Sequence, residues 1–267
     1  MGNRYVYVVL SQRARGLSIG VNLTPNKQCN FHCAYCEVDR EAAAASGPID
    51  LGVLEDELEG MLQQVRGRRL RELKRFWRAP ADLLDLKEIA LSGDGEPTLC
   101  PQFGAVVDTV LRCRAKQARS FKVVLITNTS GLDLTPVRRA VRRLGSDDEI
   151  WVKLDAGTEG YMRKVNAPDV TLAKVLRNIL NIARQRPVVI QSLFPRLGRE
   201  GPTPEEVEAY AQRLWQLKQD GAQIKLVQVY SAHRPPHLPH CSHLPLKQLS
   251  RIARRVREVA GLRAEVF

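Results

Sequence analysis

Hydrophobic and polar positions follow two alternating patterns along this chain. Short apolar runs rich in β-branched residues are typical of parallel strands buried on both faces. Between these runs, apolar residues recur three and four positions apart, which indicates helices with one buried face. The predicted strands cover residues 19–23, 88–91, 122–127, 149–154, 188–193 and 224–230.

Cap residues mark the ends of the helices that this pattern predicts. Asp50 begins the first helix, Thr135 is the predicted N-cap of the third, and Gly261 stops the last. Thr203 and Glu206 have the spacing of a capping box, in which each side chain bonds the backbone N–H of the other residue. The predicted helices centre on residues 54–65, 106–111, 137–144, 172–182, 207–214 and 246–260.

Strict alternation of strand and helix predicts an α/β fold with a parallel sheet and outer helices. Right-handed crossovers would curl the β–α units into a partial (β/α)6 TIM-like barrel, two units short of closure. No linker or low-complexity tract interrupts the sequence, so we expect a single domain over residues 1–267. The Pro- and His-rich loop 231–245 is expected near the open barrel mouth, either as a metal-binding loop or as plain surface.

In parallel α/β folds, functional side chains collect at the carboxyl ends of the strands. The loop 24–40 follows the first predicted strand and is therefore a candidate site. Later strands lead into a glycine-rich S-G-D-G-E turn and into several polar side chains. The candidates after these strands are Gly93, Gly95, Glu96, Thr127, Asn128, Lys153, Asp155 and Gln191.

Three of the six cysteines lie in the loop 24–40 as C29-x3-C33-x2-C36. Thiolates this close together repel one another and are most simply held by a metal. Iron–sulfur clusters usually have four cysteine ligands, so a cluster held by three leaves one iron open for catalysis. The alternative is a structural zinc site with His32 or a distant cysteine as the fourth ligand.

Lys153 and Asp155 flank Leu154 and therefore share one face of the fourth predicted strand. If that face points inward, Lys153 can bind a substrate carboxylate, or form a Schiff base if burial depresses the pKa of its amine. The alternative is a salt bridge to Asp155. Lys153 is therefore the candidate catalytic residue.

Composition narrows the class of protein. Hydrophobic residues make up 44% of the 267 residues and charged residues 26%, which is typical of globular proteins rather than disordered or fibrous ones. No apolar run approaches the ~20 residues of a membrane span, and the first residues lack a signal-peptide pattern. We therefore expect a cytoplasmic protein with no membrane partner.

The net charge of +12 raises the question of a nucleic-acid partner. A basic face is typical of nucleic-acid binding, and Phe76 and Trp77 could stack on bases. The alternative is solvated helix surface, since arginine outnumbers lysine 30 to 11, as a GC-rich genome produces by itself. The basic clusters cover residues 66–78, 112–122, 138–143 and 251–257.

Taken together, these motifs resemble the radical S-adenosylmethionine (radical SAM) superfamily. The C-x3-C-x2-C motif followed by G-D-G-E carries the resemblance, with Asp94 where relatives often have Gly or Asn. The stretches G-V-N-L-T-P, G-E-P-T-L and K-L-D-A-G are similar to a narrower group of short radical SAM proteins related to the wyosine-synthesis enzymes.

The resemblance implies a [4Fe–4S] cluster and SAM as cofactors. Cys29, Cys33 and Cys36 would hold the cluster, and the open iron would be chelated by the amino and carboxylate groups of SAM. A one-electron donor resembling flavodoxin or ferredoxin would reduce the cluster. Cleavage of SAM would then give a 5′-deoxyadenosyl radical that abstracts a hydrogen atom from the substrate.

The resemblance also implies which residues bind SAM. Tyr35 would lie against the adenine, and Lys153 would contact SAM if it is not a catalytic amine. The G-D-G-E turn would bind the methionine amino end through Gly93, Gly95 and Glu96. Contacts to the ribose or carboxylate would come from Thr127, Asn128, Asp155 and Gln191.

The sequence leaves several substrate classes as alternatives. The wyosine-type resemblance implies RNA or tRNA, although a second upstream cysteine set and a flavin-binding domain are missing from this sequence. The alternatives are modification of a peptide or protein, including glycyl-radical activation, and a small-molecule reaction. A metal-containing RNA-binding module without catalysis is the non-enzymatic alternative.

Overall fold

A computed structural model describes residues 2–74, 76–118, 121–232 and 240–267. The chain divides into two compact units, each assembled from separate segments. The first unit comprises Met1–Gln28, Ala44–Ile126 and Leu134–Glu149, and the second comprises Cys29–Ala43, Thr127–Asp133 and Ile150–Phe267. The single domain over 1–267 stays a prediction.

The first unit contains one antiparallel and two parallel strand pairs. β1 pairs antiparallel with β2, which pairs in parallel with β3, which pairs in parallel with β4. The strands are β1 (Val6–Ser11), β2 (Gly16–Asn22), β3 (Leu86–Ser92) and β4 (Lys122–Thr127), and the helices are α1 (Leu51–Arg66), α2 (Phe103–Ala115) and α3 (Thr135–Val141).

The second unit contains a parallel sheet and a small hairpin. β5, β6, β8 and β10 pair in parallel in that order, and β7 pairs antiparallel with β9. The strands are β5 (Glu149–Lys153), β6 (Val188–Leu193), β7 (Pro195–Leu197), β8 (Ile224–Tyr230), β9 (Cys241–His243) and β10 (Ala264–Val266), and the helices are α4 (Glu159–Asn166), α5 (Leu172–Ala183), α6 (Pro204–Gln219) and α7 (Leu246–Ala260).

All the predicted strands and helices are present. Three strands have the predicted limits, and α7 ends at Gly261, whose φ of +58° is the left-handed conformation that favours glycine. Thr135 is the first residue of α3 rather than its N-cap. The four short or edge strands β1, β7, β9 and β10 and the short helix α4 were not predicted.

β1 covers the edge of β2 with an aromatic side chain. The ring of Tyr7 lies across Gly20 on the facing strand, where a Cβ would come within 2.1 Å of the ring. The Tyr7 hydroxyl reaches Ser92 Oγ at 2.9 Å, at the carboxyl end of β3. Gly20 is therefore required by a neighbouring side chain, and Tyr7 ties β1 to the end of β3.

The predicted capping box at α6 is half wrong. Thr203 caps the helix, since its Oγ1 accepts the backbone N–H of Glu206 at 3.2 Å. The Glu206 carboxylate does not return to Thr203 but is buried and accepts the N–H of Gly157 at 2.5 Å and the Thr158 hydroxyl at 2.5 Å. It therefore fixes the K-L-D-A-G turn that follows β5.

Among the described residues, no helix is both long and apolar enough to cross a membrane.

The Pro- and His-rich loop 231–245 is described only in part, because residues 233–239, including His233 and His237, lie outside the described residues. The metal-binding prediction for this loop therefore lies partly outside the described residues.

Candidate active site

The cysteine loop is held by backbone hydrogen bonds to the end of α4. The N–H of Ala34 donates to the carbonyl of Val165 at 2.7 Å, and the N–H of His32 donates to the carbonyl of Asn166 at 2.9 Å. Carbonyls in the last turn of a helix lack intrahelical partners. The loop supplies donors for two of them, so α4 fixes the backbone that carries the cysteines.

Cys29, Cys33 and Cys36 form no disulfides, and each residue is partly accessible to solvent. The Cys29 sulfur accepts the backbone N–H of Phe31 at 3.4 Å, and the Cys33 sulfur accepts Nδ2 of Asn166 at 3.3 Å. Burial raises the pKa of the Cys33 thiol to about 12, and the Asp155 carboxylate acts in the same direction. Metal binding at Cys33 would therefore have to displace a proton.

Arg40 places a positive charge beside the same loop. Its Nη2 donates to the carbonyl of Phe31 at 2.9 Å. Partial burial alone would lower the pKa of the guanidinium, but the nearby sulfurs of Cys29 and Cys36 raise it above its ordinary value. Three thiolates on one loop carry a large negative charge, which Arg40 partly offsets.

Another group of possible metal ligands lies among the described residues. Glu55, Glu59 and Cys113 offer ligand atoms that all lie within 4.8 Å of one another.

Glu55 and Glu59 do not form a metal site, because both carboxylates are already paired. Lys116 Nζ lies 3.1 Å from Glu55 and 2.5 Å from Glu59, and Arg112 lies 3.0 Å from Glu55. Cys113 beside them is a buried thiol, as are Cys100 and Cys241.

Asp155 lies at the centre of a hydrogen-bond network in the second unit. Its Oδ1 accepts the N–H of Leu193 at 2.8 Å, and its Oδ2 accepts Nδ2 of Asn166 at 2.9 Å and a short bond from the Tyr35 hydroxyl. Burial, reinforced by the Asp155 charge, raises the pKa of Tyr35. Tyr35 and Asp155, which were predicted to bind SAM, are thus brought together, and Asp155 holds the Tyr35 ring in place.

Lys153 forms the salt bridge that was the alternative to a catalytic amine. Its Nζ lies 3.5 Å from Asp155 Oδ1, donates to the Tyr230 hydroxyl at 2.9 Å, and lies 4.9 Å from the centre of the Tyr35 ring. Burial alone would lower the pKa of Lys153, but Asp155 and Tyr230 outweigh it and raise the pKa. The depressed pKa on which the Schiff-base hypothesis depends is therefore absent.

The residues after β4 hold the cysteine loop from another direction. Asn128 Nδ2 and Ser130 Oγ each donate to Asn30 Oδ1 at 3.0 Å, and Thr127 Oγ1 accepts the N–H of Thr129 at 2.9 Å. Thr129 is fully buried at a φ of +74°, a strained conformation for a β-branched residue. Thr127 and Asn128, predicted as SAM contacts, thus shape the turn that fixes Asn30.

Gln191 lies on β6 and is paired within the sheet. Its Nε2 donates to Oε1 of Gln228 on β8 at 2.9 Å, and both side chains are buried. The predicted SAM contact of Gln191 remains a prediction, and its side-chain amide already has one partner.

The G-D-G-E turn belongs to the first unit, where it packs on the chain's own backbone. A Cβ at Gly95 would come within 1.9 Å of the Gln28 carbonyl oxygen, and one at Gly93 within 2.5 Å of Asn22 Oδ1. Asn22 Nδ2 also donates to Asp94 at 2.8 Å. The observed close approach of Gly95 is to the segment leading into the cysteine loop, and the contacts of Gly93 and Gly95 with SAM stay a prediction.

Glu96 is buried directly after this turn and acts as a cap. Its Oε1 accepts the N–H of Thr98 at 3.0 Å and the Thr98 hydroxyl at 2.5 Å, at the start of a 3₁₀ turn. Its own N–H donates to the Gln28 carbonyl at 2.9 Å. Glu96 is therefore rigidly placed, as a carboxylate that recognises an ammonium group has to be.

Asn166, Arg40 and Tyr230 were not among the predicted site residues. Their partners lie far along the chain or, for Arg40, in a loop without regular spacing. The prediction for Phe76 was wrong, since this ring is 3% exposed and cannot stack on a base. Trp77 is 59% exposed, and the Arg78 guanidinium lies 4.8 Å from the centre of its ring.

Comparison with known sequences gives a family match over most of the chain. Residues 23–214 match the family described as "Radical SAM superfamily". A UPF0026 protein of Synechocystis sp. is 27% identical over 177 residues, covering 65% of this chain and 57% of that protein. A UPF0026 protein of Methanocaldococcus jannaschii is 26% identical over 178 residues, covering 63% of this chain and 46% of that protein. The matches thus span about half the length of these relatives.

Solved structures share the fold at low sequence identity. The structure titled "Structure of TYW1 with a lysine-pyruvate adduct bound" gives a TM-score of 0.60 at 15% identity, covering 95% of this chain and 84% of that one. Streptococcus suis SuiB bound to S-adenosylmethionine gives 0.56 at 12% identity, covering 90% of this chain and 45% of that one. These likenesses confirm the predicted α/β fold of parallel strands with surrounding helices, as in partial TIM barrels.

The family match covers more than half of the chain and includes the whole C-x3-C-x2-C motif and the G-D-G-E turn. The chain therefore belongs to the radical SAM superfamily, whose members use a [4Fe–4S] cluster and S-adenosylmethionine.

Proposed function

We propose that Cys29, Cys33 and Cys36 hold a [4Fe–4S] cluster at which this enzyme cleaves SAM reductively. The observation that carries the proposal is the anchoring of the loop: its three cysteines form no disulfide, its backbone is bonded to α4, and N–H donors are directed at two of the sulfurs. Such donors stabilise thiolates. When bound and reduced, the cluster held by these three cysteines would supply the electron for cleavage of SAM to methionine and a 5′-deoxyadenosyl radical, and that radical would abstract a hydrogen atom from the substrate.

In this proposal the protein's own residues bind and orient SAM. Glu96, buried and fixed by Thr98, offers a carboxylate of defined position to the SAM ammonium. Tyr35, held through its hydroxyl by Asp155, offers a fixed ring to the adenine. Asp155 orients SAM indirectly, by holding Tyr35, because both of its carboxylate oxygens already accept hydrogen bonds from the protein.

Iron content after anaerobic reconstitution tests this proposal. We expect about four irons per chain and a brown colour, with absorption near ~400 nm that dithionite bleaches. Cys29→Ala, Cys33→Ala and Cys36→Ala should each lose iron. Cys113→Ala, a buried cysteine outside the loop, is the matched control and should retain it. A parent protein that stays without iron would contradict the proposal.

We further propose RNA as the substrate class, supported by a basic surface in the first unit. A cavity of about 800 Å³ is lined by Arg66, Arg68, Arg71 and Lys87 around apolar side chains, and the exposed Trp77 offers a ring face. Cations that neutralise phosphates combined with an aromatic platform suit single-stranded RNA.

Two measurements separate RNA from the other classes. Binding of tRNA should fall steeply with salt concentration, and Trp77→Ala and Arg68→Ala should weaken it. Deuterium transfer into 5′-deoxyadenosine should come from labelled RNA. Deuterium transfer into 5′-deoxyadenosine from a labelled peptide pool or metabolite pool, with no binding of tRNA, would contradict RNA as the substrate class. The substrate would then be a peptide or a metabolite.

The proposed partner in electron transfer is a small one-electron donor of the flavodoxin or ferredoxin type. The net charge of +12 would attract such a donor if it is acidic. We propose the cytoplasm as the location of the enzyme, because its six cysteines form no disulfides, as is usual in a reducing compartment.

A further inference from the structure

Asn166 is the last residue of α4 and lies between the cysteine loop and the K-L-D-A-G turn. Its side chain is 2% exposed. The amide nitrogen lies 3.3 Å from the Cys33 sulfur, 3.1 Å from the Tyr35 hydroxyl oxygen and 2.9 Å from Asp155 Oδ2. One amide thus contacts a candidate cluster ligand and two residues that shape the proposed SAM site.

The partners determine which way the amide points. Asp155 is a carboxylate whose Oδ2 only accepts, so the atom of Asn166 that faces it is the nitrogen. Asp155 is itself fixed by the N–H of Leu193 at 2.8 Å and by the Lys153 ammonium at 3.5 Å. The same nitrogen is therefore held facing Cys33, and rotation of the amide would set its oxygen against the carboxylate.

Backbone contacts fix the position of Asn166 as well as its orientation. Its carbonyl accepts the N–H of His32, next to Cys33 in the loop. Ala167, which follows it, leaves the helix at a φ of +37° and ends α4 there. Cys33 and Asn166 are thus joined through both backbone and side chain, although 133 residues separate them.

Hydrogen bonds to the sulfurs are one of the determinants of iron–sulfur reduction potentials. An N–H donor stabilises the more negative, reduced form of a cluster more than the oxidised form. We propose that Asn166 is a positioning residue that raises the reduction potential of the cluster through its N–H···S bond to Cys33. The inference rests on the proposed ligation by Cys33 and assigns to α4 a role in tuning the electron transfer to SAM.

The test is an EPR-monitored redox titration of the reconstituted full-length protein. Asn166→Leu has a similar shape and no donor, and Asn166→Ser retains a shorter donor. We expect four irons in both variants, a more negative midpoint potential in Asn166→Leu, and an intermediate value in Asn166→Ser. Thr109→Val, which removes a buried hydroxyl that donates to the Ala105 carbonyl in the first unit, is the matched control and should keep the parent potential.

A second measurement does not depend on the folding of an Asn166 variant. In protein labelled with ¹⁵N-asparagine, pulsed EPR of the reduced cluster should detect a coupled side-chain nitrogen, and the coupling should persist in Asn128→Ala. An unchanged potential in an iron-loaded Asn166→Leu variant, or a parent cluster without that coupling, would overturn the inference and leave the cluster proposal intact. A parent without iron would overturn both.

Discussion

Lys153 and Asp155 form an ion pair with 3.5 Å between Nζ and Oδ1, and little of either side chain is exposed. Asp155 also accepts from Tyr35, the aromatic residue of the cysteine motif. The positive charge of Lys153 thus neutralises the Asp155 carboxylate, which holds Tyr35 in the proposed SAM site.

The ion pair predicts that Lys153 does not form Schiff bases at neutral pH. Its pKa is raised by Asp155 and Tyr230 despite burial, so the amine stays protonated and is not nucleophilic. Borohydride trapping with a 2-keto acid, followed by peptide mapping, should find no adduct at Lys153. Asp155→Asn removes the stabilising charge and should make Lys153 reactive. An adduct at Lys153 in the parent would contradict this account.

Glu88 predicts a measurable pH dependence of stability. It is 1% exposed, and burial raises its pKa above the ordinary value of 4.5, although Lys122 acts in the opposite direction. A carboxyl with a raised folded pKa binds a proton on folding. Its contribution to stability is therefore lost as the pH rises from about 4.5 through the raised value.

Glu88→Gln should remove this loss, so the free energy of unfolding should fall less between pH 4.5 and 7 than in the parent. Urea denaturation at several pH values measures it. Glu72→Gln, at a 66% exposed side chain, is the control and should follow the parent. A Glu88→Gln curve parallel to the parent curve would show that Glu88 is not the titrating group.

The close approach at Gly95 predicts that even one methyl group is not tolerated there. A Cβ would lie 1.9 Å from the Gln28 carbonyl oxygen, so Gly95→Ala must displace the segment leading into the cysteine loop. We expect a loss of at least ~2 kcal/mol in the free energy of unfolding and weaker binding of SAM by calorimetry.

Gly60→Ala provides the matched control for this substitution. Gly60 lies in α1 and has nothing within 4 Å of a built Cβ, so alanine there should stabilise the protein by about 1 kcal/mol. Equal and small effects of the two substitutions would contradict the tight packing at Gly95.

The sequence predicted the regular elements well because their signals are local. The β-branched runs of β4, β6 and β8 gave their limits directly, and Gly261 gave the end of α7. The helix α4 was missed because its eight residues include only two buried apolar side chains, Met162 and Val165. β1 was missed because its alternation is weak and two of its large apolar residues are exposed.

The sequence indicates the candidate ligands of the site but not the contacts that hold them. The spacing of the cysteines is visible in the sequence, whereas the bond between Cys33 and Asn166 joins positions 133 residues apart. Asn128 was identified as important, but its partner Asn30 is 98 residues away. Similarly, the glycines of G-D-G-E indicate that another group approaches this backbone closely. Only the structure shows that the Gln28 carbonyl is such a group.

The exposure of two neighbouring aromatic residues likewise could not be predicted from the sequence. Phe76 and Trp77 are adjacent in a basic segment, yet the first is buried and the second exposed. No periodic pattern in this irregular stretch assigns a face to either ring, so the prediction treated them alike.

The most direct test of the central claim is whether the three loop cysteines are needed to cleave SAM. The measurement is the amount of 5′-deoxyadenosine and methionine formed from SAM by the reconstituted protein under dithionite, without oxygen. We predict equal amounts of both products from the parent and from Cys113→Ser, and none from the combined Cys29→Ala, Cys33→Ala and Cys36→Ala variant. Product formation by that variant at the parent rate, or a parent that carries four irons and forms no 5′-deoxyadenosine, would contradict the account.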